Sequence, residues 1–293
     1  MTETVLELHG VSKSFQKKRV LERIDLSIKP GSVVGLLGKN GAGKTTLLKC
    51  ALGLLKTDSG SSRIFGEDSW DLSGETKARI GYVPQKLNFY IWMKVRQMIA
   101  YYAAFYPRWN SPLTTSLLSR WELDPEARVG KLSEGQVQKL GLVLAMGHEP
   151  DLLILDEPAA SLDPQARRTF LSALVEIAGD HNRTVILSTH LTSDLERVAS
   201  DIVLLKSGFV SYSGSMDELK DSVRSVTLTT EGKRISGLEL PGILSCEIHD
   251  NHAVITMKGV TDEMISGLES KYSATAEVRD LTLEDIFVEV HRV

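Results

Sequence analysis

Eight consecutive residues constrain this chain more than any other stretch: Gly38-Lys39-Asn40-Gly41-Ala42-Gly43-Lys44-Thr45. They follow a short apolar run, Val33-Val34-Gly35-Leu36-Leu37, and lead into Thr46-Leu47-Leu48-Lys49, which reads as the start of a helix. An apolar run bounded by glycine suits a buried strand of a parallel sheet. Glycines let the backbone curl so that successive N–H groups converge on phosphate oxygens, and the following helix adds its positive end. In that frame Lys44 would reach the β and γ phosphates of a nucleotide, and the Thr45 hydroxyl would hold Mg²⁺. A strand before and a helix after is the context this chemistry requires, which favours a phosphate cradle over a plain glycine turn.

Composition narrows the class further. The 293 residues are 42% hydrophobic and 25% charged, with a net charge of −4. Those values are ordinary for a folded soluble chain, and the length suggests about two domains. A nucleic-acid binder would carry a basic excess, so no nucleic-acid partner is expected. Cys50 and Cys246 match no metal or redox spacing and read as free thiols. Met1-Thr2-Glu3-Thr4 offers neither a basic start nor an apolar stretch, so no signal peptide is read there. No window holds ~18 uncharged apolar residues, so any membrane role is exercised from outside the bilayer.

Strand signals recur at Leu6 to Leu8, Ile24 to Ile28, Leu152 to Leu155 and Thr184 to Leu187. Ile202 to Lys206 and Phe209 to Ser213 flank Ser207-Gly208 as a hairpin would. Residues 86 to 148 turn helical, with Ser111-Pro112 read as a cap followed by proline at the first helical position. Asp163-Pro164 reads the same way and opens a helix to about Ala178. Strands alternating with helices imply a largely parallel α/β sheet. From about Arg224 a small α+β appendage follows, with short strands at Val226 to Thr229, Cys246 to His249 and Ala253 to Met257, and helices near Asp262 to Lys271 and Leu283 to Val290. The expected domains are residues 1–223 and 224–293.

Two further segments carry chemistry. Leu152-Leu153-Ile154-Leu155-Asp156-Glu157 places two carboxylates at the end of a buried strand, where ligands bind in α/β folds. Alone it could be a turn with solvated acids. Beside a phosphate loop, Asp156 would organise the Mg²⁺ shell and Glu157 would orient or deprotonate a water. Leu132-Ser133-Glu134-Gly135-Gln136 precedes a helix; Ser133 with Gln136 is a capping box, and a capped helix N-terminus with Gly135 allowing close approach also suits an anion. Both explanations stay open on the residues alone.

The order of these pieces resembles the nucleotide-binding subunits of ATP-binding-cassette (ABC) transporters over about residues 3 to 220. Gly38 to Thr45 matches their Walker A loop, Leu132 to Gln136 their signature and Leu152 to Glu157 their Walker B strand. Gln85 after Gly81-Tyr82-Val83-Pro84, Ser161-Leu162-Asp163 and His190 after Ser188-Thr189 match their Q-loop, D-loop and switch histidine. The resemblance implies an α/β P-loop NTPase fold with an antiparallel β subdomain and an inserted helical subdomain at about 86–148.

It implies ATP and Mg²⁺ as ligands. Phe15 would stack on adenine, Gly38 to Thr46 would bind the phosphates, and Thr45, Gln85 and Asp156 would serve the metal. Glu157, Gln85 and His190 would be catalytic, and Asp163 would lie at a dimer interface. Ser133, Glu134, Gly135 and Gln136 would contact the ATP held by a second subunit, identical or not. Glu134 stands where the family most often has glycine, and Val137 where a basic or polar residue is frequent; Ser133 and Gly135 are kept.

The resemblance also implies separate membrane-spanning permease subunits and a place on the cytoplasmic side of the membrane, with membrane contact through the permease. The short tail ending Leu281-Thr282-Leu283-Glu284-Asp285-Ile286-Phe287, and the tract Phe105-Tyr106-Pro107-Arg108-Trp109, resemble export-type subunits. A soluble ABC ATPase acting on another assembly is the alternative. Of the aromatic residues between Phe89 and Trp109, most are expected in the core of the helical subdomain, with Phe89 to Met93 lining a groove for a permease helix.

Overall fold

A computed structural model describes residues 4–160, 162–178, 183–232, 235, 242–290 and 292; the expectations placed on Met1 to Glu3 and on Ser161 fall outside them. The chain forms two compact units, Met1–Ser213 and Gly214–Val293. The sequence reads a boundary after residue 223. The division falls earlier because a short helix before that point leads directly into the first long strand of the second unit.

The first unit begins with β1 (Leu6–Phe15), β2 (Lys18–Ile28), β3 (Val33–Leu37), α1 (Lys44–Ala51), β4 (Ser59–Ile64) and β5 (Glu67–Asp68). Next come α2 (Gly74–Ala78), β6 (Ile80–Val83), α3 (Val95–Ala103), α4 (Ser111–Arg120) and α5 (Glu134–Met146). It closes with β7 (Leu152–Asp156), α6 (Pro164–Ala178), β8 (Thr184–Thr189), α7 (Thr192–Val198), β9 (Asp201–Lys206) and β10 (Phe209–Ser215).

Two sheets result. One is antiparallel, in the order β2-β1-β4-β5; the other has six strands, in the order β10-β9-β3-β8-β7-β6. Within the second, β9, β3, β8, β7 and β6 pair in parallel. Every residue of β3, β7 and β8 is buried, as expected of strands covered on both faces. Leu6, Leu8, Leu26 and Ile28 from the antiparallel sheet share one apolar core with Val34, Leu36, Leu47, Leu48, Ile154 and Ile186. That shared core fixes the loop after β3 against the ends of β1 and β2.

α3, α4 and α5 form the helical insertion. The cap of α4 is Asn110, whose Oδ1 accepts from Leu113 N at 2.8 Å, so Ser111 is the first helical residue and not the cap. The aromatic expectation needs a larger correction. Tyr90, Trp92, Tyr101 and Phe105 are exposed, and none of the eight aromatic residues from Phe89 to Trp109 is fully buried. Aliphatic side chains fill this core instead: Val95, Met98, Leu117, Leu118, Leu140 and Val143, with Trp121. The aromatics form an edge-to-face ladder outside it, Tyr90 on Tyr101 at 5.5 Å and Tyr101 on Phe105 at 5.1 Å.

The second unit holds α8 (Met216–Ser222), β11 (Val223–Thr230), β12 (Ile243–His249), β13 (His252–Lys258), α9 (Asp262–Tyr272), β14 (Ala274–Asp280) and α10 (Leu283–Val290). Its antiparallel sheet runs β12-β13-β11-β14, with its own core of Val226, Leu228, Ala253, Ile255, Met257 and Leu268.

Candidate active site

The site is assembled at the C-terminal ends of β3, β7 and β8, the edge where open α/β sheets take ligands. The loop after β3 needs its glycines. Gly43 sits at φ +108°, and a Cβ on Gly38 would lie 2.7 Å from the Leu205 carbonyl oxygen. No side chain caps the start of α1, so its free N–H groups remain available to an anion. Lys44 opens that helix, is 6% exposed, and turns back so that Nζ donates to Gly38 O at 2.7 Å.

β7 ends at Asp156, which is fully buried. Ser188 on the neighbouring β8 donates from Oγ to Asp156 Oδ1 at 2.7 Å and accepts from Glu157 N at 3.0 Å. That bridge holds Glu157 at φ +51°, a left-handed conformation uncommon outside glycine. The turn aims the Glu157 carboxylate at two partners. Oε1 lies 3.1 Å from Lys44 Nζ, and Oε2 lies 2.9 Å from His190 Nδ1. Three segments far apart in sequence therefore meet at one buried carboxylate.

A cleft of about 470 Å³ opens over this point. Its wall contains Phe15, Lys39, Asn40, Gly41, Gly43, Lys44, Thr45, Thr46, Gln85 and Glu157, joined by Lys18 and Val20. Three lysines against one carboxylate make it a receptacle for a polyanion, and the volume falls in the range of small-molecule sites. Gly38, Ala42, Asp156 and His190 are not part of that wall. Asp156 Oδ2 is buried without a hydrogen-bond partner, an acceptor that suits a divalent cation or its hydration shell. Thr45 and Gln85 are the wall residues able to share such an ion. No cluster of three or more His, Cys, Asp or Glu side chains fit to hold a metal occurs among the described residues, so much of its shell would come from phosphates and water.

The remaining predicted residues lie elsewhere. Ser133 accepts from Gln136 N at 3.3 Å and Gln136 Oε1 accepts from Ser133 N at 3.0 Å, so the capping box at the start of α5 is made. Ser133 and Glu134 are exposed, Gly135 and Gln136 half-buried, and none of the four touches the cleft. Asp163 caps α6 by accepting from Gln165 N and Ala166 N, each at 2.9 Å; the Ala166 N–H foremost holds its carboxyl below the usual range.

Sequence reasoning missed the structural part of Ser188 and the cleft position of Lys18. The first is signalled only by the pairing of β7 with β8, the second by the β1–β2 turn that brings Lys18 opposite Phe15. A separate groove of about 270 Å³ follows Gln85, lined by Pro84, Lys86, Leu87, Phe89, Tyr102 and Leu144 among others; Tyr90 to Met93 do not line it.

The ABC transporter family profile matches residues 21–160. An uncharacterized ABC transporter ATP-binding protein of Bacillus subtilis, YxlF, is 32% identical over 254 residues, covering 84% of each chain. The Nod factor export ATP-binding protein I of Paraburkholderia xenovorans is 33% identical, over 71% of this chain and 70% of the relative. The bacitracin transport ATP-binding protein BcrA of Bacillus licheniformis is 31% identical over 74% and 72%. Among solved structures, an ATP-binding subunit of an ABC transporter superposes with a TM-score of 0.68 at 28% identity, over 74% of this chain and 92% of that one. A dimeric post-hydrolysis cassette bound to ADP and phosphate gives 0.65 at 23% identity, covering 72% and 98%, and speaks for the fold alone.

Proposed function

The chain belongs to the ABC transporter family, among its ATP-binding ATPase subunits, and from that premise we propose that it drives a separate membrane permease by closing on a second cassette around ATP. The observation that carries this reading is the Lys44–Glu157–His190 contact beneath the cleft. A cation suited to phosphate and a histidine suited to the γ-phosphate each stand within hydrogen-bond reach of one carboxylate suited to act as base.

Phe15 stacks on adenine, the loop from Gly38 to Thr46 wraps the phosphates, and Lys44 exchanges Glu157 for the β and γ oxygens. Glu157 then accepts a proton from the attacking water, while His190 turns to the γ-phosphate. Mg²⁺, held by Thr45, Gln85 and Asp156, would neutralise the charge developing on the phosphates. Gln85 lines the cleft while its chain neighbours Pro84 and Lys86 line the groove, so it would link nucleotide state to that groove. There Phe89, Tyr102 and neighbouring apolar side chains would receive a cytoplasmic helix of the permease.

The exposed, capped start of α5 is left for the other subunit. Ser133, Gly135 and Gln136 contact ATP held across the interface, with Asp163 beside them, so nucleotide acts as the cement of a head-to-tail pair. Glu134 adds a carboxylate to that surface and can turn to solvent. Among the described residues no helix is long and apolar enough to cross a membrane. In this reading attachment at the cytoplasmic face runs through the permease. Two relatives named for Nod factor export and bacitracin transport support export of a drug-, peptide- or lipid-like substrate.

Affinity purification from detergent-solubilised membranes tests the reading: a multi-span partner is expected, and a soluble assembly with no membrane partner overturns it. Ser133→Ala tests the trans contact. ATP hydrolysis should fall by at least about 10-fold while nucleotide affinity of the isolated chain is kept. Loss of the cap alone costs about 1 kcal/mol of local stability, which thermal denaturation would register. If isolated chains lose ATP affinity, the contact is not made in trans.

A further inference from the structure

Phe15 stands where the base of a nucleotide would lie, yet it is 47% exposed at the irregular end of a strand. The pairing of β1 with β2 shifts register between Val11 and Lys13 and again between Lys13 and Ser14. The ladder alone therefore does not fix the Phe15 ring. We propose that Lys13, held by Asp58, is a positioning residue for base recognition: its ammonium braces the Phe15 ring.

Several independent contacts support the brace. Lys13 and Phe15 are two residues apart on β1 and so share a face. Lys13 Nζ lies over the ring, 5.7 Å from its centroid, within the range of a cation–π contact. The same nitrogen donates to Asp58 Oδ1 at 2.7 Å, and only 13% of the Lys13 side chain is exposed. Asp58 Oδ2 accepts from Ser14 N at 2.6 Å, and Asp58 N donates to Ser12 O at 2.9 Å. One aspartate thus grips Ser12, Lys13 and Ser14 in succession, where the register of the ladder shifts. Hydrogen bonds from Lys13 and Ser14 hold the Asp58 carboxyl below its ordinary range, so it stays ionised at neutral pH.

Lys13 is absent from the cleft wall that Phe15 helps to form, so its ammonium acts on the ring and not directly on the ligand. A phenyl ring has no hydroxyl with which to anchor itself. Attraction between its quadrupole and the ammonium, and the pinning of the ammonium by Asp58, restrict its swing before the base arrives. Ordering a side chain in advance improves affinity by lowering the entropy lost on binding. This inference rests on the reading that Phe15 stacks on adenine, and it adds the device that presents the ring.

The test compares ATP with inorganic tripolyphosphate, which has no base, by calorimetric titration of the full chain. Lys13→Met should weaken ATP binding about three- to fivefold, the size of one cation–π contact, and leave tripolyphosphate binding unchanged. Lys13→Arg should restore ATP affinity, and Asp58→Asn should reproduce part of the loss. In a Phe15→Ala background, Lys13→Met should have no further effect. Equal weakening of both ligands would mean a merely structural role and overturn the inference. So would additivity with Phe15→Ala, or a loss from Phe15→Ala with none from Lys13→Met. No loss from Phe15→Ala itself would instead overturn the stacking reading, and this inference with it.

Discussion

Lys44→Ala should weaken ATP binding by at least about 100-fold, the largest effect on nucleotide affinity expected in this chain. Hydrogen bonds to charged groups contribute about 1.5–3 kcal/mol each, and two phosphate oxygens depend on this ammonium. The loss of about 3–6 kcal/mol corresponds to two or more decades in Kd. Uncapped N–H groups of α1 would still face the phosphates, and Lys18 and Lys39 would remain in the cleft wall, but the buried ammonium at the base of the loop would be gone.

The substitution has a second effect that must be separated from the first. Lys44 and Glu157 form a pair with both side chains 6% exposed, and Lys44→Ala leaves a buried carboxylate with His190 as its remaining partner. Orphaning one member of such a pair costs about 3–5 kcal/mol of stability. Thermal denaturation should show the single variant destabilised, and Lys44→Ala combined with Glu157→Gln should recover much of that loss by removing the unpaired charge. Nucleotide binding should not recover in the double variant. Unchanged ATP affinity in folded Lys44→Ala protein would refute the phosphate-cradle role.

The parts of this site legible in the sequence are those whose chemistry is local. The Gly38–Thr45 loop, the acids at the end of β7 and the capping box at Ser133 each declare themselves within eight residues, because glycine, charge and cap geometry act over one turn. Long-range contacts stay silent. Ser188 bridges Asp156 and Glu157 only because β7 and β8 pair in parallel, and Asp58 holds Lys13 from 45 positions away.

Polar strands were missed for a related reason. β4 is built from Ser59-Gly60-Ser61-Ser62-Arg63-Ile64 and carries no apolar alternation; its two neighbours in the sheet define it. β14 is an edge strand with mostly exposed side chains, so its sequence reads as loop. The aromatic tract misled in the opposite direction. Ring-rich sequence from Phe89 to Trp109 suggests a core, yet small packed helices of this size are filled by Met98, Leu117, Leu140 and their neighbours, which turns the rings outward.

Glu157→Gln should reduce ATP turnover by about 100- to 10,000-fold, the contribution of a positioned general base, and should at the same time tighten nucleotide binding. Both effects follow from one carboxylate. Glu157 Oε1 stands 3.1 Å from Lys44 Nζ, so the carboxylate competes with the phosphates for that lysine. ATP has to displace that buried partner, and glutamine, with the same shape and no charge, is displaced more easily. Because the amide preserves volume and offers an oxygen to Lys44, the left-handed turn at residue 157 and the Ser188 bridge should persist. ADP separates the two effects, since it reports on Lys44 without trapping a hydrolysis-ready pair. Its affinity for Glu157→Gln should rise several-fold in the isolated chain, whereas closed dimers should accumulate with ATP alone. Turnover near that of the unaltered chain would remove Glu157 as the base. Weaker ADP binding with turnover abolished would leave the base in place and show that the contact with Lys44 supports the loop instead of competing with the nucleotide.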